Sequence, residues 1–163
     1  MMDRRENQNG RLEYYHLHWP REEKFFAKGE KIVSIRKCKK PTFGYTINEA
    51  YFMMAVNIIK TDRVNMKYLI ALLNSKLIEF WLRNKGKMQG LLFQIDKEPI
   101  LEIPIYIPQN TPEAQEPFIK LVDIILAKKE NGENTDAEEK QIDMMVYNLY
   151  GLSEEEIEII EGQ

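Results

Sequence analysis

Tyr68-Leu69-Ile70-Ala71-Leu72-Leu73-Asn74-Ser75-Lys76-Leu77 lies inside the most strongly helical stretch of the chain, residues 66–83. Leu69, Leu72, Leu73, Leu77, Phe80 and Trp81 recur at the i, i+3, i+4 spacing that lines one face of a helix. An apolar stripe of this kind is core, and Asn74 and Ser75 within it are read as structural. Asn84-Lys85-Gly86-Lys87 supplies the cations and the glycine expected where such a helix ends.

The segments before and after that helix read as strands. Lys31-Ile32-Val33-Ser34-Ile35-Arg36 alternates, and Lys37-Cys38-Lys39-Lys40-Pro41 breaks it. Residues 43–46 and 51–59 predict two more strands, the second so continuously apolar that both its faces should be buried. Residues 90–96 and 100–107 predict two further strands. Pro104 and Pro108 place the last at a sheet edge or in an extended connection. The expected class is α+β, a mixed sheet packed by a long helix and followed by a helical carboxyl segment. In that segment Phe118, Leu121, Val122, Ile125 and Leu126 form one stripe, and Ile142, Met145, Val146 and Leu149 a second. Gly151 suits a helix C-cap, and Ser153 with Glu156 makes a capping box.

With 163 residues, 44% of them apolar, the chain can build one ordinary core. A single cysteine excludes an internal disulfide and suits a reducing cytoplasm. No apolar run is long enough to span a membrane. The net charge of −3 conceals a polarity along the chain. Residues 1–108 hold 19 Lys and Arg against 12 Asp and Glu, a net of +7; residues 109–163 hold 4 against 14, a net of −10. A basic body with an acidic helical end therefore gives local charge more meaning than the global value.

Two basic clusters stand out. Residues 24–40 carry Lys24, Lys28, Lys31, Arg36, Lys37, Lys39 and Lys40 against Glu30 alone, and Thr42 and Tyr45 come next. Cations in such density suit DNA, where phosphate neutralisation and counterion release supply most of the affinity. By charge alone, a solvated strand and loop is the favoured explanation of this run. The second cluster, Arg83, Lys85, Lys87 and Gln89, surrounds Gly86 and Gly90. Glycine lets backbone approach phosphate, and Gln can pair with adenine. The plain alternative is a helix C-terminus whose cations complement the dipole.

Catalytic readings are poor. His16 and His18 would share one strand face near Trp19 but lack a third zinc ligand. Cys38 sits among lysines that would lower its pKa, without an organised base. Asp123 with Glu138-Glu139-Lys140 has the residue order of a metal-dependent nuclease, yet falls on two amphipathic helices. No glycine-rich phosphate loop, no Asn/Asp-Pro-Pro-Tyr/Phe run and no glycine-rich site for S-adenosylmethionine are present.

Lys97-Glu98-Pro99-Ile100-Leu101-Glu102-Ile103-Pro104-Ile105-Tyr106-Ile107-Pro108, then Pro117-Phe118-Ile119, then residues 141–158 with Leu149-Tyr150-Gly151-Leu152-Ser153-Glu154-Glu155-Glu156-Ile157, succeed one another in a telling order. With the Leu-Leu-Asn-Ser-Lys helix, this order resembles the TaqI-like C-terminal specificity domain of type IIG-like restriction-modification adenine methylases. The resemblance covers roughly residues 20–160. It implies a non-catalytic DNA target-recognition domain, with residues 21–108 as the recognition body, 109–163 as a helical arm and 1–20 less defined. It also tips the basic clusters toward DNA, so Lys31, Arg36, Lys37, Lys39, Lys40, Thr42, Tyr45, Arg83, Lys85, Lys87 and Gln89 become the candidate contacts. The implied partners are double-stranded DNA and the methyltransferase or endonuclease part of the parent enzyme, with a homodimer through the arm also open. S-adenosylmethionine, and any Mg²⁺, would belong to that other part. The rival reading is a protein-interaction module working through its acidic helices.

Overall fold

The structure is a computed structural model that describes residues 22–52, 55–108 and 112–162. His16, His18 and Trp19 lie outside the described residues. The α+β class holds, with the strands in two small antiparallel sheets where the sequence suggested one mixed sheet. The first sheet contains β1 (Lys31–Ile35), flanked by β3 (Phe43–Thr46) and β4 (Val56–Ile59). The second contains β6 (Leu92–Gln94), flanked by β2 (Lys37–Cys38) and β5 (Lys87–Gln89). Only 56–59 of the expected 51–59 strand forms, and all four of its residues are half-buried; β4 is a sheet edge.

The chain passes from one sheet to the other at Arg36. Its N–H donates to Ala55 O beside the first sheet, and its carbonyl accepts from Ile95 N beside the second. Asn57 Nδ2 joins the two by donating to Ile95 O at 2.8 Å. A two-residue β2 is thereby held in line without length of its own.

The expected 66–83 helix is two helices, α1 (Met66–Leu73) and α2 (Lys76–Lys85). The apolar period continues across the break, so periodicity alone does not reveal it. Asn74 is diverted to the neighbouring edge strand. Its side chain accepts from Phe43 N and donates to Phe43 O, both at 2.9 Å, replacing a missing strand there. Ser75, fully buried, then caps α2 by accepting from Ile78 N. Asp143 adds a cap from across the fold, accepting from Lys76 N at 2.8 Å.

The strand expected over residues 100–107 does not form; its first three residues belong to a short helix, α3 (Lys97–Glu102). Pro99 is tolerated because the first turn needs no intrahelical N–H. The chain beyond is the extended connection that Pro104 and Pro108 foretold. Tyrosines pin it: Tyr150 Oη donates to Pro104 O at 2.7 Å and accepts from Tyr106 N, and Tyr68 Oη donates to Tyr106 O.

The helical end comprises α4 (Glu116–Glu130), α5 (Asp136–Tyr150) and α6 (Glu154–Glu161). Gly151, with φ +67°, ends α5, and the Ser153/Glu156 capping box opens α6. The two apolar stripes do not await an external cover. α4 and α5 pack on α1 and on each other, while α2 packs on α5 and α6. Phe118, Val122, Ile142 and Val146 enter the same core as Ile32, Phe43 and Leu72. The segments on either side of residue 108 thus share one core, with α1 between the first sheet and the carboxyl helices.

Asp143 gives this packing a pH signature. Burial raises its carboxyl above the usual aspartate range, only partly offset by the Lys76 N–H. A raised folded pKa means the folded chain holds this proton more tightly, so stability falls as pH rises from about 4 through the folded value. Asp143→Asn keeps an acceptor and should match or exceed the parent at neutral pH, without that decline. Asp143→Ala strands the Lys76 N–H and should lose about 1–2 kcal/mol. Urea unfolding across the window checks both; a neutral-pH loss for Asn equal to that for Ala would refute the assignment.

Candidate nucleic-acid interface

The second sheet joins the two basic clusters. Its register pairs Lys37 with Gln94 and Gln94 with Lys87, so β2, β6 and β5 form one cross-strand row. The next row is Cys38, Phe93 and Met88, and the last pair is Gln89 with Leu92. Side chains alternate between faces. One face therefore presents Lys37, Gln94, Lys87, Gln89 and Leu92, all exposed except the half-buried Gln94. The opposite face carries Phe93, which is buried, with the Arg83 guanidinium 5.2 Å from its ring centroid. The sheet is thus anchored through one aromatic and leaves a polar, cationic face to solvent.

The candidate residues divide sharply by environment. Lys37, Lys39, Lys85 and Lys87 are exposed and carry no ion pair among the described residues. Lys39 follows β2 at the end nearest the β5–β6 turn; Lys85 ends α2 just before β5. Arg36 is engaged by Asp96, whose other oxygen accepts from Gln94 Nε2 at 2.8 Å. These two bonds, Arg36 first, hold the Asp96 carboxyl below the usual range. Lys40 lies 3.7 Å from Glu79, which also faces Arg83 at 3.9 Å.

Three candidates fall elsewhere. Lys31 has 0% exposure, and its ammonium donates to Asn48 O at 2.6 Å, so it cannot present charge to a ligand. Thr42 donates to Lys40 O. Tyr45 sits on the edge strand of the first sheet and donates to Glu30 at 2.6 Å; burial, then that bond, push its phenol well above its ordinary pKa. With Lys40, these two line a cavity of about 630 Å³ between β3, α1, α4 and α5. Sequence reasoning missed Gln94, Leu91 and Leu92. The signal was Gly90 between the matched triplets Lys-Met-Gln and Leu-Phe-Gln, which marks a hairpin where a single strand was expected.

The catalytic candidates do not assemble. Burial raises the Cys38 thiol pKa, against the lowering expected from its lysine neighbours. Asp123, Glu138 and Glu139 are paired with Lys67, Lys128 and Lys129 respectively. Among the described residues, no group of three or more His, Cys, Asp or Glu is placed to hold a metal ion, and no helix is long and apolar enough to cross a membrane.

The family model for the TaqI-like C-terminal specificity domain matches residues 3–105, more than half of the chain. The chain belongs to this family. Two curated relatives agree with the match. The type II methyltransferase M.HincII of Haemophilus influenzae is 26% identical over 110 residues, which cover 62% of this chain and 22% of that protein. The type II methyltransferase M.HindII of Haemophilus influenzae (strain ATCC 51907 / DSM 11121 / KW20 / Rd) is likewise 26% identical over 110 residues, covering 62% of this chain and 21% of its own length. The chain spans about a fifth of the length of the relatives it matches. The TaqI-like match ends at residue 105, just beyond α3, so both basic clusters and the whole second sheet fall within it.

Proposed function

We propose that this chain is the sequence-specific DNA-recognition domain of a restriction-modification methyltransferase, without catalytic activity of its own. The observation that carries the reading is the cross-strand row Lys37–Gln94–Lys87, in which cations from two distant segments flank an amide on one outward face. Lysines at the rim suit phosphate contacts that set register, while glutamines between them suit base edges. Double-stranded DNA and the catalytic part of the parent enzyme are the partners, and the parent works in the cytoplasm. S-adenosylmethionine, and any Mg²⁺, bind in that catalytic part, to which this domain presents the target base. A homodimer through the helical end gains little support, because its stripes already pack on α1.

The test is the salt dependence of duplex binding. Each phosphate neutralised contributes about 0.9 to the slope of log affinity against log salt. Four lysines outside ion pairs therefore predict a slope of about −3 to −4 and weak, non-specific affinity in the range of about 10⁻⁴–10⁻⁶ M at physiological salt. Fluorescence anisotropy on a short labelled duplex measures both. Binding that ignores salt, or no binding at low salt, overturns the reading. Methyl transfer from labelled S-adenosylmethionine to DNA by this chain alone would overturn its non-catalytic part.

A further inference from the structure

The turn between β5 and β6 is apolar where its geometry asks for nothing apolar. Gln89 and Leu92 are register partners, so Gly90 and Leu91 form a two-residue loop. Gly90 has φ +64°, while no described non-glycine residue, Leu91 included, has a positive φ. Glycine first, then an ordinary residue, is the pattern of a type II′ hairpin turn. Such turns mostly take small or polar residues. Here Leu91 is 91% exposed, and Leu92, exposed beside it, shares the outward face with Gln89, Gln94, Lys37 and Lys87.

The hairpin also projects. β2 ends at Cys38, opposite Phe93, so residues 89–92 run past the third strand. Two residue steps give a projection of about 7 Å. The DNA major groove is about 8.5 Å deep and about 12 Å wide, and admits a two-stranded β-ribbon without deformation; the minor groove of undeformed B-DNA, about 6 Å wide, is too narrow for one. The cations flanking the ribbon make duplex DNA the complementary occupant. Directly opposed side chains on a ribbon have Cβ atoms about 5 Å apart. Gln89 and Leu92 can therefore meet the two edges of one base pair or of neighbouring pairs. In the major groove, glutamine pairs with adenine N6 and N7, and an apolar side chain fits the thymine 5-methyl.

Resting on the DNA-recognition reading, we propose that the 89–92 hairpin enters the major groove and reads A·T pairs. Gln89 takes adenine, and Leu91 and Leu92 take thymine methyl groups. Lys37, Lys39 and Lys87 hold the ribbon against the phosphates without contributing to base choice.

The experiment uses the full chain with four duplexes: alternating A·T, the same with uracil for thymine, the same with 7-deazaadenine for adenine, and alternating G·C. Loss of the thymine methyl should weaken parent binding about fourfold per buried methyl. Loss of adenine N7 should weaken it roughly fivefold or more. L91A/L92A should bind thymine and uracil duplexes equally while keeping the parent's salt slope. Q89A should lose the 7-deazaadenine penalty alone. All these positions are exposed, so circular dichroism should show unchanged folding. Equal parent affinity for thymine and uracil duplexes, or a thymine preference that survives L91A/L92A, overturns the proposal. If every duplex binds alike with a steep salt slope, hairpin readout fails while DNA recognition stands. If no duplex binds at low salt, both fail. If L91A/L92A leaves all DNA binding intact but weakens association with the catalytic part, the tip is a protein contact and the proposal falls.

Discussion

Replacing Lys37, Lys39, Lys85 and Lys87 together with alanine should weaken duplex binding by about 10²–10⁴ at 50 mM salt and bring the salt slope close to zero. The size comes from counterion release, in which each lost phosphate contact removes about 0.9 from the slope, and the difference grows as salt falls. These four differ from the other candidates by environment. Arg36 is engaged by Asp96, Lys40 and Arg83 both face Glu79, and Lys31 is buried on Asn48. A cation already matched to a carboxylate releases fewer counterions when a phosphate arrives. The fold should not notice the change, because exposed substitutions away from caps and cores usually stay within about 0.5 kcal/mol. Lys120→Ala, on the acidic α4, is the control and should leave the slope untouched. A quadruple variant that binds as the parent does at every salt concentration would place the DNA contact elsewhere.

Leu72→Ala should cost about 2–5 kcal/mol and lower the melting temperature by roughly 5–15 °C. Leu72 has 0% exposure, in the helix lying between the first sheet and α4 and α5. Truncation removes buried area and leaves a cavity that two flanking layers can only partly close. Against an ordinary domain stability of about 5–15 kcal/mol, that is a large fraction. The loss should appear as one transition, since Leu72 shares a core with Phe118 and Ile142 as well as with Ile32 and Phe43. Tryptophan fluorescence of a Trp19→Phe background, which leaves Trp81 as the reporter, should give the same midpoint as helix content by far-ultraviolet circular dichroism. Two transitions would mean that the carboxyl helices fold apart from the body. A loss under about 1 kcal/mol would contradict the central place of α1.

These two expectations separate roles that the sequence runs together. Lys31 and Lys37 stand six positions apart in one basic run, yet one ammonium is buried on a carbonyl and the other is solvated. Burial of a lysine depends on which backbone carbonyl the fold brings to it, and Asn48 lies 17 residues away. The cation cluster was legible as a cluster; its division into structural, ion-paired and available members was not.

Local signals determined a good deal by themselves. The α4 and α5 stripes, the Gly151 C-cap, the Ser153/Glu156 capping box and the β1 and β3 strands each depend on residues within one or two turns of themselves. The order of these elements also carried the family resemblance. Tertiary structure decided the rest, because the deciding partners are distant in sequence. Asn74 breaks the central helix by pairing with Phe43, 31 positions earlier, and Asp143, 67 positions beyond Lys76, caps α2 after the break. Residues 97–102 carry too few apolar positions for a period to form, so periodicity does not separate helix from strand there. The candidate interface is the clearest case. Lys37, Gln94 and Lys87 share a row only because backbone hydrogen bonds set the register of three strands, and a slip of one residue would turn every one of those side chains to the opposite face.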